Sequence, residues 1–354
     1  MNYKKETQLK KEKQIQEMLR DMPDYVSNYM NFIHLSTAAS TRFEYLRDIR
    51  AFIEYLSESV GCKLSELSPD TLDKLSADDI NNYLNYLTMY EKNGKNLSNE
   101  NISIKRKLSS IRGLYNYLVT QEVIVHNPAF IVRVPKVSRK EPVRMDDEEA
   151  ENLLNVVEYG KQTMSKKELD YHDKYGYRDF TLITLMLGTG IRVSEAVGLN
   201  ISDVDLKNHC IRVIRKGGKE DTVYYSDDVT EVLKDYIDIY RPACKTDEEN
   251  EDVLFLSSQK KRITPRAVQY IVKKYTLHSD VMKHITPHKL RSTFGTKLYE
   301  ETSDLYLVAD SLGHESVETS KIYVNQSNER KEKNRNLVQY SNGEIYEETR
   351  HTEK

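Results

Sequence analysis

The amino-acid sequence predicts a mainly α-helical protein with a small β-sheet, built as two domains: a helical bundle, then a mixed α/β domain. Three observations predict this. Apolar residues between Tyr25 and Leu118 recur at helical spacing in four separate segments. A proline-punctuated, basic stretch runs from Asn127-Pro128 through Pro135 to Pro142, as an extended connection does. Beyond it, two β-type runs flank Lys216-Gly217-Gly218-Lys219 among further segments of helical period. A chain of 354 residues is long enough for two separate cores.

The elements follow in order. Residues 1–15 are rich in Lys, Glu and Gln with few apolar side chains, and are expected to be a polar N-terminal extension, either a frayed helix or a solvated segment. The bundle is expected over 16–125. Its first segment carries Tyr25, Val26, Tyr29, Met30 and Ile33; the second carries Phe43, Leu46, Ile49, Phe52, Ile53 and Leu56, after Ser40-Thr41 as a cap. The third has Ile80, Tyr83, Leu84 and Leu87, and the fourth Ile104, Leu108, Ile111, Tyr115 and Leu118.

On the fourth segment Lys105, Arg106, Lys107 and Arg112 lie off the apolar stripe, where cations could meet phosphates. A solvated helix face is the plain alternative. Position favours the first reading, because the next basic cluster, Arg133, Lys136, Arg139 and Lys140, falls in the proline-rich linker expected over 126–145. Two domains joined by a basic linker could close as a clamp around a DNA duplex, with phosphate contacts that position rather than read sequence.

The second domain, 146–354, opens with a helix carrying Leu153, Leu154 and Val157. The Tyr- and charge-rich segment from Glu158 to Asp179 is expected to be a surface excursion. The helix Phe180 to Leu187 is expected to stop at Gly188 and Gly190, and the next to hold Arg192 in its first turn, with Glu195 one turn on. An arginine there can reach an anion at a helix N-terminus, although pairing with Glu195 on the surface would explain it equally. Ile211 to Arg215 and Asp221 to Tyr225 form a hairpin whose glycines hold a lysine at its shoulder, either Lys216 or Lys219. A helix through Val232, Leu233, Tyr236 and Ile237 leads to a solvated acidic loop, 247–252. A short strand, Val253 to Leu256, precedes a helix started by Thr264-Pro265, with Arg266 on its first turn. Thr286-Pro287 starts another, with His288 at its mouth and Arg291 one turn on along the same face. The last signal is Leu312-Gly313-His314 followed by Tyr323. After it, 31 residues remain, polar until Leu337-Val338 and Tyr340.

Composition narrows the function classes less than it narrows the fold. The formal charge of −3 conceals a split: 21 Lys and Arg against 17 Asp and Glu up to Lys140, and 32 against 39 beyond it. Contact with nucleic acid therefore has to rest on local clusters, not a global field. Cys62, Cys210 and Cys244 are far apart and odd in number, which indicates neither a disulfide frame nor a zinc site. No apolar leader and no run long enough to span a bilayer stand in the sequence, so a cytoplasmic protein without membrane insertion is expected.

A phenol with a pKa near ~10 is only about 0.1% ionised at neutral pH, so a nucleophilic Tyr323 needs cationic neighbours or a base from elsewhere. Arg192, Lys216, His288, Arg291, His314 and Tyr323, in that order, resemble the tyrosine recombinase (phage integrase) family, with no departure at these positions. The resemblance covers most of the chain. It implies a helical core-binding DNA domain, a catalytic domain of mixed α/β type, and cleavage of DNA through a 3′-phosphotyrosine at Tyr323. Arg192, Arg291 and His314 would clamp the phosphate, His288 would take the phenolic proton, and Lys216, rather than Lys219, would protonate the leaving 5′-oxygen. No cofactor and no metal are expected. The implied partners are double-stranded DNA carrying a specific site, a homotetramer on paired sites in which Leu337, Val338 and Tyr340 dock on the neighbour, and a DNA translocase as regulator. Resolution of chromosome dimers at cell division is the expected role. Integration or transposition of a mobile element, a type IB topoisomerase-like activity and a non-catalytic DNA-binding protein are the alternatives.

Overall fold

The computed structural model describes residues 3–92, 94–136, 143–160 and 162–323. Arg139, Lys140 and the tail with Leu337, Val338 and Tyr340 lie outside them. The described chain is mainly helical and forms two compact units, Met1–Arg139 and Lys140–Lys354, which divide inside the expected linker.

In the first unit, helices Asp24–Phe32, Ala39–Val60, Ala77–Tyr86 and Asn101–Thr120 turn their apolar stripes onto one core. Leu46, Ile49, Phe52, Ile53, Tyr83, Ile104, Leu108, Ile111 and Tyr115 are buried there. Ser76 opens its helix with a capping box, accepting from the Asp79 amide. Ser40 and Thr41 are not a cap: the helix starts at Ala39, with Ala38 at the cap position. Strands Tyr90–Lys92 and Lys95–Leu97 pair as a hairpin beyond the expected elements, and the Asn-Gly dipeptide between them is its signal in the sequence.

Of the two readings of the N-terminal extension the helix holds, and it is packed on the bundle and not frayed: Tyr3–Leu19 lies along Ala39–Val60. It buries Ile15, pairs Glu12 with Arg42, and sets the Lys11 ammonium 3.8 Å from the centroid of Phe43. Ile15 is its one fully buried residue, Met18 and Leu19 pack half-buried against the core, and polar contacts hold the rest, so no apolar stripe runs along its length. The start of the linker is likewise part of the bundle. Ala129 and Val132 are buried, and Arg112 donates from Nε to the Ala129 carbonyl at 2.9 Å and from Nη2 to the Val132 carbonyl at 2.5 Å. Arg112→Ala is expected to lower stability by about 1–3 kcal/mol, because buried carbonyls lose their donor. Denaturant unfolding, together with tryptic cleavage after Arg133 and Lys136, checks this; unchanged stability and cleavage would remove Arg112 from the role of strap.

The second unit joins helices Asp147–Tyr159, Lys166–Thr189, Asp227–Asp235, Pro265–Thr276 and Pro287–Thr302 to a three-stranded antiparallel sheet. Its strands are Val204–Asp205, Cys210–Ile214 and Glu220–Tyr224, with Arg212 opposite Thr222. Ile211, Val213 and Val223 point inward. The expected surface excursion from Glu158 to Asp179 is mostly helix: Ser165 caps Lys166–Thr189, which runs unbroken through Phe180. Its charged half is anchored by a buried pair, Arg178 with Asp179, and by Arg178 donating to the Leu256 carbonyl at 2.6 Å. Polarity concealed this, since the pair is buried in spite of its charge. Gly188 does not end the helix. A side chain there would meet Val229 at 2.6 Å, so Gly188 lets two helices approach, and Gly190, at φ +63°, closes the helix. The expected strand Val253 to Leu256 is reduced to isolated bridges, Asn200 with Val253 and Leu256 with Arg262. The acidic loop 247–252 is tied down, as Arg241 donates to the Asn250, Glu251 and Val253 carbonyls and Asp252 accepts from Ser202.

Candidate active site

Three chain segments meet around Tyr323. The first is the turn Gly190-Ile191-Arg192. Arg192 sits at the cap of the short helix Val193–Ala196, not within its first turn, and its backbone amide and Nη1 both donate to the Glu195 carboxylate. Both readings of Arg192 meet here, because the pairing with Glu195 exists but Glu195 is buried. Nη2 of Arg192 donates to the Gly313 carbonyl at 3.2 Å.

The second segment is helix Pro287–Thr302. His288 lies exposed at its mouth, while Arg291, one turn on, is only 3% exposed. The Arg291 guanidinium donates to the Gly190 carbonyl at 2.6 Å and to the Leu312 carbonyl. Burial, helped by the neighbouring Arg192 charge, pulls its pKa down to about 10, which still leaves a full cation at neutral pH.

The third segment, Leu312-Gly313-His314, supplies the Leu312 and Gly313 carbonyls and then the imidazole. His314 Nδ1 lies 2.7 Å from the hydroxyl of Ser320, which is fully buried. Desolvation, then the charges of Arg291 and Arg192, lower the His314 pKa to about 4, so the ring is neutral at pH 7. Where the Ser320 hydroxyl donates to Nδ1, the proton of the neutral ring sits on Nε2, and His314 then offers a donor without a charge to repel the arginines. The His314 and Tyr323 rings lie nearly parallel, 7° apart with centroids 6.5 Å apart.

Tyr323 ends the 3-10 stretch Val317–Tyr323 and is buried. Desolvation raises its phenol pKa; Arg291, a hydrogen bond with Ser292 and Arg192 pull it back. His288 is lowered by desolvation and by Arg291 and Arg192, so it too is neutral at pH 7 and able to accept a proton. Gly295 makes room for the phenol: a side chain there would stand 3.0 Å from Cζ of Tyr323.

The structure thus brings Arg192, His288, Arg291, His314 and Tyr323 together. Lys216 stands at the edge, 79% exposed in its side chain, with Nζ 3.5 Å from Glu315, the residue after His314. Lys219 is also exposed, at the far end of the same turn. In the first unit Lys105, Arg133 and Lys136 are exposed. Arg106 and Lys107 bind the buried Asp48, at 2.5 and 3.3 Å, and Arg112 holds the strap described above. Sequence reasoning missed Arg215, Ser292, Gly295 and Ser320. Of these only Gly295 carried a signal, a glycine in a helix interior where packing or function has to justify it. Among the described residues no three His, Cys, Asp or Glu side chains gather as a metal site would require, and no helix is long and apolar enough to cross a membrane.

Known proteins resemble the chain on both levels. A family model described as "Phage integrase family" matches residues 143–330, and "Phage integrase, N-terminal SAM-like domain" matches 26–122. The chain is 31% identical to tyrosine recombinase XerS of Streptococcus agalactiae over 342 residues, covering 89% of this chain and 95% of that protein. It is 29% identical to tyrosine recombinase XerD of Oceanobacillus iheyensis over 300 residues, covering 84% and 92%. In fold it is similar to XerH site-specific recombinase bound to a palindromic difH substrate, with a TM-score of 0.64 at 21% identity over 87% of this chain and 93% of that one. The Tn1549 transposon integrase in complex with circular intermediate DNA gives 0.65 at 18%, over 90% and 100%. With a family model over more than half its length and relatives above 30% identity across most of it, the chain belongs to the phage integrase family of tyrosine recombinases, enzymes of DNA strand exchange.

Proposed function

We propose that this protein is a site-specific recombinase that cuts and rejoins double-stranded DNA through a 3′-phosphotyrosine at Tyr323. The observation that carries the reading is the convergence of Arg192 and Arg291 on the Leu312-Gly313 carbonyls, beside the parallel rings of His314 and Tyr323. Attack on a phosphodiester builds negative charge on the non-bridging oxygens. Two forked guanidiniums and a neutral imidazole donor, fixed before the reaction, oppose that charge without reorganising. The Tyr323 oxygen bonds to phosphorus as the bond from phosphorus to the 5′-oxygen breaks. His288 takes the phenolic proton, and the Lys216 ammonium gives one to the departing 5′-oxygen. The phosphotyrosine conserves the ester's free energy, so a second 5′-hydroxyl can reverse the step without ATP.

Lys105, Arg133 and Lys136 are the proposed phosphate contacts of the first unit, on the grounds of exposure and charge. A homotetramer on paired sites is the proposed working form, since exchange between two duplexes needs four cuts. For the biological role we propose resolution of chromosome dimers at cell division, under a DNA translocase. The XerS and XerD relatives favour it, and the alternative is integration of a mobile element, the setting of the Tn1549 integrase.

The experiment for the site tests the general acid. Lys216→Ala is expected to cut all-oxygen DNA on the order of 10²–10⁴-fold more slowly, the range for loss of a proton donor. Its rate should recover on a substrate with sulfur at the 5′-bridging position, a leaving group that needs no proton. Lys219→Ala should stay close to wild type. Sulfur rescue of Lys219→Ala and not of Lys216→Ala would move the role to the other lysine.

A further inference from the structure

Arg215 directly precedes Lys216, yet the phosphate clamp described above makes no use of it. It is only 6% exposed. Its Nε donates to Asp221 at 2.9 Å, across the hairpin. Nη1 donates to Glu195 at 3.1 Å, the carboxylate that also holds Arg192. Nη2 donates to the Ser311 carbonyl at 3.0 Å, immediately before the Leu312-Gly313 pair on which Arg291 and Arg192 converge. The turn around Lys216 is otherwise a glycine turn, with Gly217 at φ +80° and Gly218 at +90° and no buried side chain in Lys216–Gly218. A Cβ on Gly313, at φ +59°, would stand 2.6 Å from the Arg215 Nε, so Gly313 is the residue that admits this guanidinium.

We propose that Arg215 is a positioning residue that anchors the shoulder of the hairpin to Glu195 and the Ser311 carbonyl, and thereby holds Lys216 over the scissile phosphate; this rests on the general-acid reading of Lys216. The physical argument is one of entropy. A long lysine on a two-glycine turn has many conformations, and delivering its proton requires that few of them be populated. Arg215 fixes the backbone one residue before the lysine with charge-assisted bonds from all three guanidinium nitrogens. It joins hairpin and clamp as one rigid body, so that the acid moves with the site it serves.

The test is cleavage by Arg215→Ala and Arg215→Lys on all-oxygen and 5′-bridging sulfur DNA, with Lys216→Ala and Tyr323→Phe alongside. Arg215→Ala is expected to lose about ten- to a hundredfold on the oxygen substrate, the scale of a misplaced catalytic group, and to regain most of it on sulfur. Arg215→Lys should lie between Arg215→Ala and wild type. A merely structural defect slows both substrates alike, so equal losses overturn the proposal. Should Arg215→Ala not fold, Asp221→Ala removes only the acceptor at the hairpin end of the anchor, and the same sulfur-rescued loss is expected; a defect that sulfur does not rescue overturns the proposal there too. Lys216→Ala without sulfur rescue would instead contradict the general-acid reading itself, which separates the two failures.

Discussion

Tyr323→Phe is expected to abolish covalent attachment to DNA while leaving binding at its wild-type strength. One oxygen is lost from a side chain that is 3% exposed, so the surface that meets phosphates is unchanged. The neighbours remain as well: the aromatic ring still lies parallel to His314 and in the space left by Gly295. The chemistry has no substitute, and deleting a nucleophile costs on the order of 10⁶-fold. Adduct formation on a suicide substrate, run beside a gel-shift titration, reads both halves. Persistent adduct in the Phe variant would assign the nucleophile elsewhere; weakened binding would show that the phenol serves the interface.

The second large effect is expected at Arg291, where stability and catalysis share one side chain. Its guanidinium spans the Gly190 and Leu312 carbonyls, so it closes the first segment of the site onto the third. Arg291→Ala is expected to cut cleavage by at least about 10²–10³-fold, the loss recorded for one fixed donor in a charge-stabilising site. It should also lower stability by about 1–3 kcal/mol, since buried carbonyls are left unpaired. Arg291→Lys keeps the charge and gives up the fork, so it should recover part of the stability and little of the rate. Single-turnover cleavage and a denaturant midpoint separate the two. Cleavage at the wild-type rate by Arg291→Ala would exclude the guanidinium from the clamp.

The division between what the sequence reveals and what it hides follows the physics of each contact. The four bundle helices were legible because their cores are apolar and periodic, as Leu46, Ile49, Phe52 and Ile53 show. The hairpin was legible because two glycines between β-type runs have few other uses. The packing of helix Tyr3–Leu19 was hidden because an ion pair, a lysine over a ring and three apolar side chains gathered near its end hold it. The helical part of 158–179 was hidden because its anchor is the buried Arg178–Asp179 pair, and charged residues in sequence read as surface. In the site, the named side chains could be ordered along the chain from their chemistry and the family likeness. Their supports could not. Arg215, Ser320 and Gly295 act through distances across 97, 6 and 28 positions to Leu312, His314 and Tyr323, and neither composition nor local period encodes such approaches. The strap role of Arg112 belongs with them, since an arginine off an apolar stripe looks the same whether it meets a phosphate or a carbonyl.

The central claim is that one phenol makes the covalent bond, and the most direct measurement is mass spectrometry of the peptide that remains attached to DNA after trapping with a nicked suicide substrate and digestion. The account predicts a nucleotide joined by its 3′-phosphate to Tyr323 in the wild-type protein. Attachment at another residue, or through a 5′-phosphate, would contradict it.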